Sequence, residues 1–149
     1  MKVLFVCHAN ICRSFMAQQL MRQELPQAQV FSRGLYADSS LSVPEKIRLF
    51  LEKNGAEASV HTPLLLTKED VKEADIVFFM EKQHLDMQAD RWAEYSDKMW
   101  LLWDFAFGEE KDVPDPIGLS GRAFEKNALL LARAVHVAAQ KLKNGQLVL

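Results

Sequence analysis

Lys2-Val3-Leu4-Phe5-Val6-Cys7-His8-Ala9-Asn10-Ile11-Cys12-Arg13-Ser14, near the start of a 149-residue chain, is the stretch whose reading decides the fold. Its apolar opening is β-branched and aromatic and too short for a core helix, so Val3 to Cys7 reads as a buried parallel strand. Beyond Ser14, the apolar residues Met16, Ala17, Leu20, Met21 and Leu25 recur at helical spacing. Cys7 to Ser14 is therefore the turn from a strand's carboxyl end into a helix's amino end. Such a turn aims backbone N–H groups at one point, and the helix dipole adds positive potential there. The same field favours a thiolate at Cys7, and Arg13 completes a fork for a phosphate-like dianion.

Working outward, strands and helices alternate along the chain. A helix is expected from about Ser14 to Leu25, a short strand from Val30 to Ser32, and a helix that Pro44 opens and that stops near Asn54-Gly55. Thr67 with Asp70 three residues on has the form of a capping box and marks a short helix. Asp75 to Met80 is the next buried strand, followed by a polar helix through about Asp90 and a fourth strand from Lys98 to Leu102. Ser120 is expected to cap a long helix whose Phe124, Ala128, Leu131, Val135, Ala138 and Leu142 form one stripe. Repeated βα units imply an α/β fold, a three-layer αβα sandwich with a four-stranded parallel sheet flanked by helices on both faces. In such folds the site lies at the strands' carboxyl ends, where Cys7 falls. The stretch from Gly108 to Gly121 reads as a loop long enough to carry a function.

Length points to one domain over residues 1–149 with a sizeable core. A net charge of -2 offers no attraction for nucleic acid or an anionic membrane, so neither is expected as a partner. No apolar run approaches the roughly 20 residues of a membrane helix, and with so short an apolar start no secretory leader is expected. Two cysteines five apart do not make a disulfide framework, and a cytoplasmic protein is expected. Cys7, His8 and Cys12 lack the fourth ligand of a closed metal site, so no metal is expected. Read singly, each candidate has a plainer alternative: free cysteines are commonly small buried hydrophobes, and Asp-Pro pairs such as Asp115-Pro116 are common in turns. His84 and His136 sit in helical patterns and need no function; Trp92, Trp100 and Trp103 read as core or sheet-flanking, with Trp103 able to border the cleft.

The Cys7-x5-Arg13-Ser14 turn resembles the phosphate loop of the low-molecular-weight protein tyrosine phosphatases. Ser32-Arg33-Gly34, His61 to Asp70, Ala74 to Glu81, Asp115-Pro116 and Phe124 match further family segments in the right order. The resemblance implies a tyrosine phosphatase that acts on phosphotyrosine proteins and small aryl phosphates through a cysteinyl-phosphate, with no cofactor. Cys7 would be the nucleophile, Arg13 the oxyanion ligand and Asp115 the general acid. His8, Ala9, Asn10, Ile11, Cys12, Arg13 and Ser14 would hold the phosphate or another oxyanion. Asn10, Ser14, Ser32 and His61 would support the loop, and Cys12 would be a redox partner able to form a disulfide with Cys7, although packing alone is an alternative for Cys12. A monomer or weak dimer is expected.

Some positions depart from the family pattern. Ile117 and Gly118 follow Asp115-Pro116 where many members have aromatic residues, Phe15 replaces a usual proline, and His8 a usual aliphatic. The Asp-Pro-x-Gly form is closer to the related protein-arginine phosphatases, but those carry threonine at the position of Ile11, and isoleucine there looks like the tyrosine-directed branch. Tyr36 is a candidate replacement aromatic. Arsenate reductases on the same fold pass a disulfide to later cysteines, and this chain has none after Cys12, which leaves only coupling to an external thiol. A non-catalytic phosphoprotein-binding module is the other alternative, disfavoured by the joint presence of Cys7, Arg13 and Asp115.

Overall fold

The computed structural model describes residues 1–58 and 60–145. Strand β1, Lys2–Cys7, is flanked by β2, Gln29–Gly34, and β3, Ile76–Phe79, with β4, Met99–Leu101, beyond β3. All pairings are parallel, in the order β2-β1-β3-β4. Side chains alternate across a pleated strand. Val3, Phe5 and Cys7 of β1 accordingly face one core with Ile76 and Phe78, while Leu4 and Val6 face the other with Val77 and Phe79. Strands apolar on both faces demand cover on both.

The larger core is closed by α1 (Arg13–Glu24), α2 (Glu45–Lys53), α5 (Leu102–Phe107) and α6 (Gly121–Lys143). The smaller one is covered by α3 (Lys68–Glu73), α4 (Lys82–Arg91) and the 3-10 turn Ala93–Lys98, which contribute Val71, Leu85, Ala89 and Tyr95, with Trp92 between α4 and the turn. This is the three-layer αβα sandwich that the alternation implies. No helix among the described residues is long and apolar enough to cross a membrane.

Local signals place most of the boundaries. Thr67 and Asp70 form the reciprocal capping box, the Thr67 hydroxyl accepting from the Asp70 N–H and the Asp70 carboxylate from the Thr67 N–H. Phe124, Ala128, Leu131, Val135, Ala138 and Leu142 all lie on the buried stripe of α6. Ser120 does occupy the position before α6, but its side chain makes no capping bond. Helix α5 departs from the sequence reading, which runs β4 to Leu102 and assigns nothing after it. Leu102-Trp103-Asp104-Phe105-Ala106-Phe107 is apolar enough to read as strand, so its periodicity is ambiguous. The helix ends at Gly108, whose left-handed φ of 71° lets its N–H reach the Asp104 carbonyl at 2.7 Å.

Candidate active site

The parallel register sets the carboxyl ends of β1, β2 and β3 at one level, with Cys7 beside Gly34 and Val6 beside Phe79. Cys7, His8, Ala9, Ile11, Cys12 and Arg13 line a small cleft there, closed on its far side by Asp115 and Ile117. Larger hollows exist, such as one of about 420 Å³ along Arg122, Lys126 and Arg133 of α6, but none of those residues is a nucleophile. Volume does not locate the chemistry here.

At the floor of the cleft, Cys7 Sγ lies 2.9 Å from Ser14 Oγ and accepts the Asn10 backbone N–H at 3.3 Å. Asn10 Nδ2 donates to Ser14 Oγ at 2.8 Å, which leaves the serine hydrogen free to point at the sulfur. The loop is therefore arranged to donate to Cys7. Asn10 has φ 61° and is the non-glycine residue with positive φ among those described. Asparagine tolerates that left-handed conformation better than most side chains. Its side chain also accepts the Leu64 N–H at 3.1 Å, and its carbonyl accepts from His61 Nε2 at 2.8 Å. Because a carbonyl only accepts, His61 is the Nε2–H tautomer. Burial pushes its pKa down, against the opposing pull of the bond to Asn10 and with the charges of Arg22 and Arg33 adding to it, so the ring stays neutral near pH 7. Phe15 stacks on that ring, with centroids 4.2 Å apart. The departure at position 15 thus supports His61.

The backbone N–H groups of Ala9, Ile11 and Cys12, in the loop that leads into α1, find no acceptor among the described residues. Beside them sits Arg13, only 3% exposed. Its Nη1 donates to the Val113 carbonyl at 2.9 Å and its Nη2 to Glu81 Oε2 at 2.8 Å. The rest of its five N–H donors are left for an oxyanion. Asp115 Oδ2 is 3.7 Å from Arg13 Nη2, and Asp115 Oδ1 accepts the Ile117 N–H at 3.0 Å. The Cys12 thiol is pushed up to about 12 by burial, reinforced by the charges of Asp115 and Cys7 against the opposing charges of Lys46 and Arg13. Cys12 is thus a neutral thiol at physiological pH, unlike a nucleophile. Both cysteines are free.

Of the residues singled out in the sequence, the structure brings together Cys7 to Ser14, His61 and Asp115. Ser32 differs from its expected place in the loop's support. Its hydroxyl donates to Gln18 Oε1 at 2.7 Å, because position 32 points into the layer under α1, where Gln18 is buried. Two residues on, Gly34 meets the loop instead. A Cβ there would come within 2.9 Å of the Ala9 carbonyl carbon and the Asn10 nitrogen. Tyr36 donates its backbone N–H to the His8 carbonyl at 2.8 Å and sets its ring 4.8 Å from the His8 ring, at the rim of the cleft. Trp103 does not line the cleft; its ring lies 4.6 Å from that of Phe107 and under Lys111.

Two neighbours of the cleft do not stand out in the sequence. Glu81 was legible only as the end of an apolar strand, although a carboxylate just past a parallel strand's carboxyl end is itself a signal. His84, one turn into α4, is buried with Nδ1 unpartnered, 3.9 Å from Glu81 Oε2, and its ring centroid is 6.1 Å from that of His8. Among the described residues, no group of three or more His, Cys, Asp or Glu is placed to hold a metal ion.

Comparison with known proteins agrees with this geometry. Residues 2–147 match the family model for low molecular weight phosphotyrosine protein phosphatase. The low molecular weight protein-tyrosine-phosphatase Ptp of Acinetobacter johnsonii is 31% identical over 89% of this chain and 92% of its own. The structure of the YwlE arginine phosphatase from Geobacillus stearothermophilus superposes with a TM-score of 0.89 at 32% identity, covering 98% of this chain and 95% of that one. The tyrosine phosphatase Wzb from Escherichia coli, solved in complex with sulphate, gives a TM-score of 0.84 at 30% identity over 95% of this chain and 97% of that one.

Proposed function

Because the chain belongs to the low molecular weight phosphotyrosine protein phosphatase family, we propose that it hydrolyses phosphotyrosine in protein substrates through a cysteinyl-phosphate intermediate. The observation that carries the reading is the convergence on one cleft of Cys7, Arg13 and Asp115. Cys7 thiolate attacks phosphorus in line, the sulfur–phosphorus bond forms and the bond to the aryl oxygen breaks. Arg13 and the loop N–H groups take up the charge on the equatorial oxygens. Asp115 gives its proton to the departing phenolate. In the second step Asp115, now ionised, accepts a proton from water as the water oxygen attacks phosphorus. The thiolate leaves and inorganic phosphate is released. The substrate is a cytoplasmic phosphoprotein, and the oxyanion bound by the related Wzb is consistent with phosphate in this cleft. That Cys12 lines the same cleft as Cys7 supports a role for it in trapping an oxidised nucleophile as a disulfide.

Tyrosine is favoured as the leaving group by the rim. Tyr36 and His8 offer two aromatic rings tilted 41° to each other with centroids 4.8 Å apart, His8 lining the same cleft as the apolar Ile117, and a phenol ring can pack there. A second reading, phosphoarginine, is supported by the Asp115-Pro116-Ile117-Gly118 form and by the likeness to arginine phosphatases.

Turnover of 4-nitrophenyl phosphate in EDTA by the wild type and Cys7→Ser tests the chemistry. Loss on substitution supports a cysteine-dependent phosphatase, and no turnover by folded, reduced wild type rejects it. Phosphotyrosine and phosphoarginine peptides then decide the leaving group, and a higher kcat/KM for phosphoarginine overturns the tyrosine reading.

A further inference from the structure

The segment that bears Asp115, from Gly108 to Ser120, has no regular secondary structure, so its backbone carbonyls need partners from elsewhere. Those flanking Asp115 are taken by side chains of three different helices. Arg13 of α1 holds the Val113 carbonyl, and Asn127 of α6 donates to Pro114 at 2.9 Å. On the other side of Asp115 a single group does the holding. Lys46, in the first turn of α2, sends its ammonium to the carbonyls of Pro116, Ile117 and Leu119 at 2.9, 2.9 and 2.6 Å.

An ammonium has three N–H donors, and these carbonyls match them one for one. Lys46 forms no ion pair with a carboxylate among the described residues, so its charge is committed to the loop. Bonds from an ionised donor are the stronger kind. The Lys46 ammonium also lies 5.3 Å above the Phe124 ring of α6, which restricts where it can move. Without this clamp, Pro116 to Leu119 has no side-chain donor on its carbonyls among the described residues. Asp115 would then be tied to the helices only from its amino-terminal side, since the bonds left after it, Ile117 N–H to Asp115 Oδ1 and Leu119 N–H to the Pro116 carbonyl, are internal to the loop.

We propose that Lys46 is a positioning residue for catalysis: by gathering three carbonyls just after Asp115 it sets that carboxyl over the leaving-group oxygen. The inference rests on the acid role given to Asp115 above. A clamp that acts through the acid makes a specific demand. Its loss must hurt substrates whose leaving group needs a proton and spare those whose leaving group departs without one.

The experiment measures single-turnover formation of the phosphoenzyme from phenyl phosphate and from 4-nitrophenyl phosphate, whose phenol is much the more acidic. It compares wild type, Lys46→Met, Asp115→Asn and the double variant, with inorganic phosphate affinity read in each. Lys46→Met is expected to slow phenyl phosphate by about ten- to a hundredfold and 4-nitrophenyl phosphate by less than about threefold. In the Asp115→Asn background, Lys46→Met is expected to add less than about threefold on either substrate. Equal slowing of both substrates, no slowing, or a full additional loss without Asp115 overturns the positioning role. If Asp115→Asn itself does not discriminate the two leaving groups, the acid assignment falls and the inference with it. That failure is distinguishable from one in which Asp115→Asn discriminates and Lys46→Met does not.

Discussion

Arg13 Nη2 and Glu81 Oε2, 68 positions apart in the chain, meet at 2.8 Å at the carboxyl ends of adjacent strands β1 and β3. The arginine is almost fully buried, and Glu81 is about a quarter exposed, with side-chain exposures of 3% and 28%. A buried guanidinium without a counter-charge is costly, and an arginine free to rotate cannot present a fixed fork to an oxyanion. Glu81→Ala should therefore lower kcat for aryl phosphates by roughly tenfold or more, since small misplacements of a positioning group cost that much. Glu81→Gln keeps an acceptor for the guanidinium and should retain most of the activity. Steady-state kinetics on the two variants, with melting curves to check folding, tests this; unchanged kcat in Glu81→Ala would sink it.

Asn10 combines a left-handed backbone with a buried bond to Ser14 and half-buried bonds to Leu64 and His61. Asn10→Gly removes the side-chain bonds but accepts the backbone, whereas Asn10→Ala loses both. The alanine variant should be the less stable of the two by about 1 kcal/mol, the strain of an L side chain at that φ. Urea unfolding of the pair decides, and equal midpoints would show that the strain is relieved by movement of the loop.

Leu131 is fully buried at the centre of the α6 stripe. Truncation to alanine should cost about 2–5 kcal/mol in denaturant unfolding. A loss below about 0.5 kcal/mol would contradict its place in the core.

His61 and His84 are both held below the usual histidine pKa, in each case chiefly by burial. Around His84 the attraction of Glu81 and Asp112 opposes that burial, and the charges of Arg13 and His8 add to it. A histidine whose folded pKa is depressed takes up its proton in the unfolded chain first. Its contribution is therefore complete above about pH 6.5 and is lost as pH falls from there toward the folded value. Unfolding free energy should decline on acidification below about pH 6.5, and His84→Gln should reduce that slope by up to about one proton. A slope unaltered by the substitution would show that His84 does not contribute to it.

The route from residues to site was legible where a short local pattern carried its own physics. The apolar run before Cys7, the helical spacing after Ser14 and the Thr67–Asp70 box each name an element without knowledge of its neighbours. Helix α5 was hidden because its apolar residues suit a strand and a buried helix equally, and packing under α6 made the choice. Ser32 was assigned to the loop's support, yet Ser32 and Gly34 share one face of β2, and only the distance along the strand separates them: Gly34, at the carboxyl end, meets the loop, while Ser32 reaches Gln18.

The sequence by itself determined the alternation of strands and helices, the strand–loop–helix around Cys7 and which residues are proposed to attack, bind an oxyanion and donate a proton. Those are properties of neighbouring residues and of side-chain chemistry. Tertiary structure alone decided which other distant groups hold them: Glu81 and the Val113 carbonyl on Arg13, Leu64 on Asn10, and Lys46 on the carbonyls after Asp115. Such partners come from separate βα units, and no periodicity along the chain encodes them. They are paired by sheet register and helix packing, under the requirement that buried polar groups be satisfied.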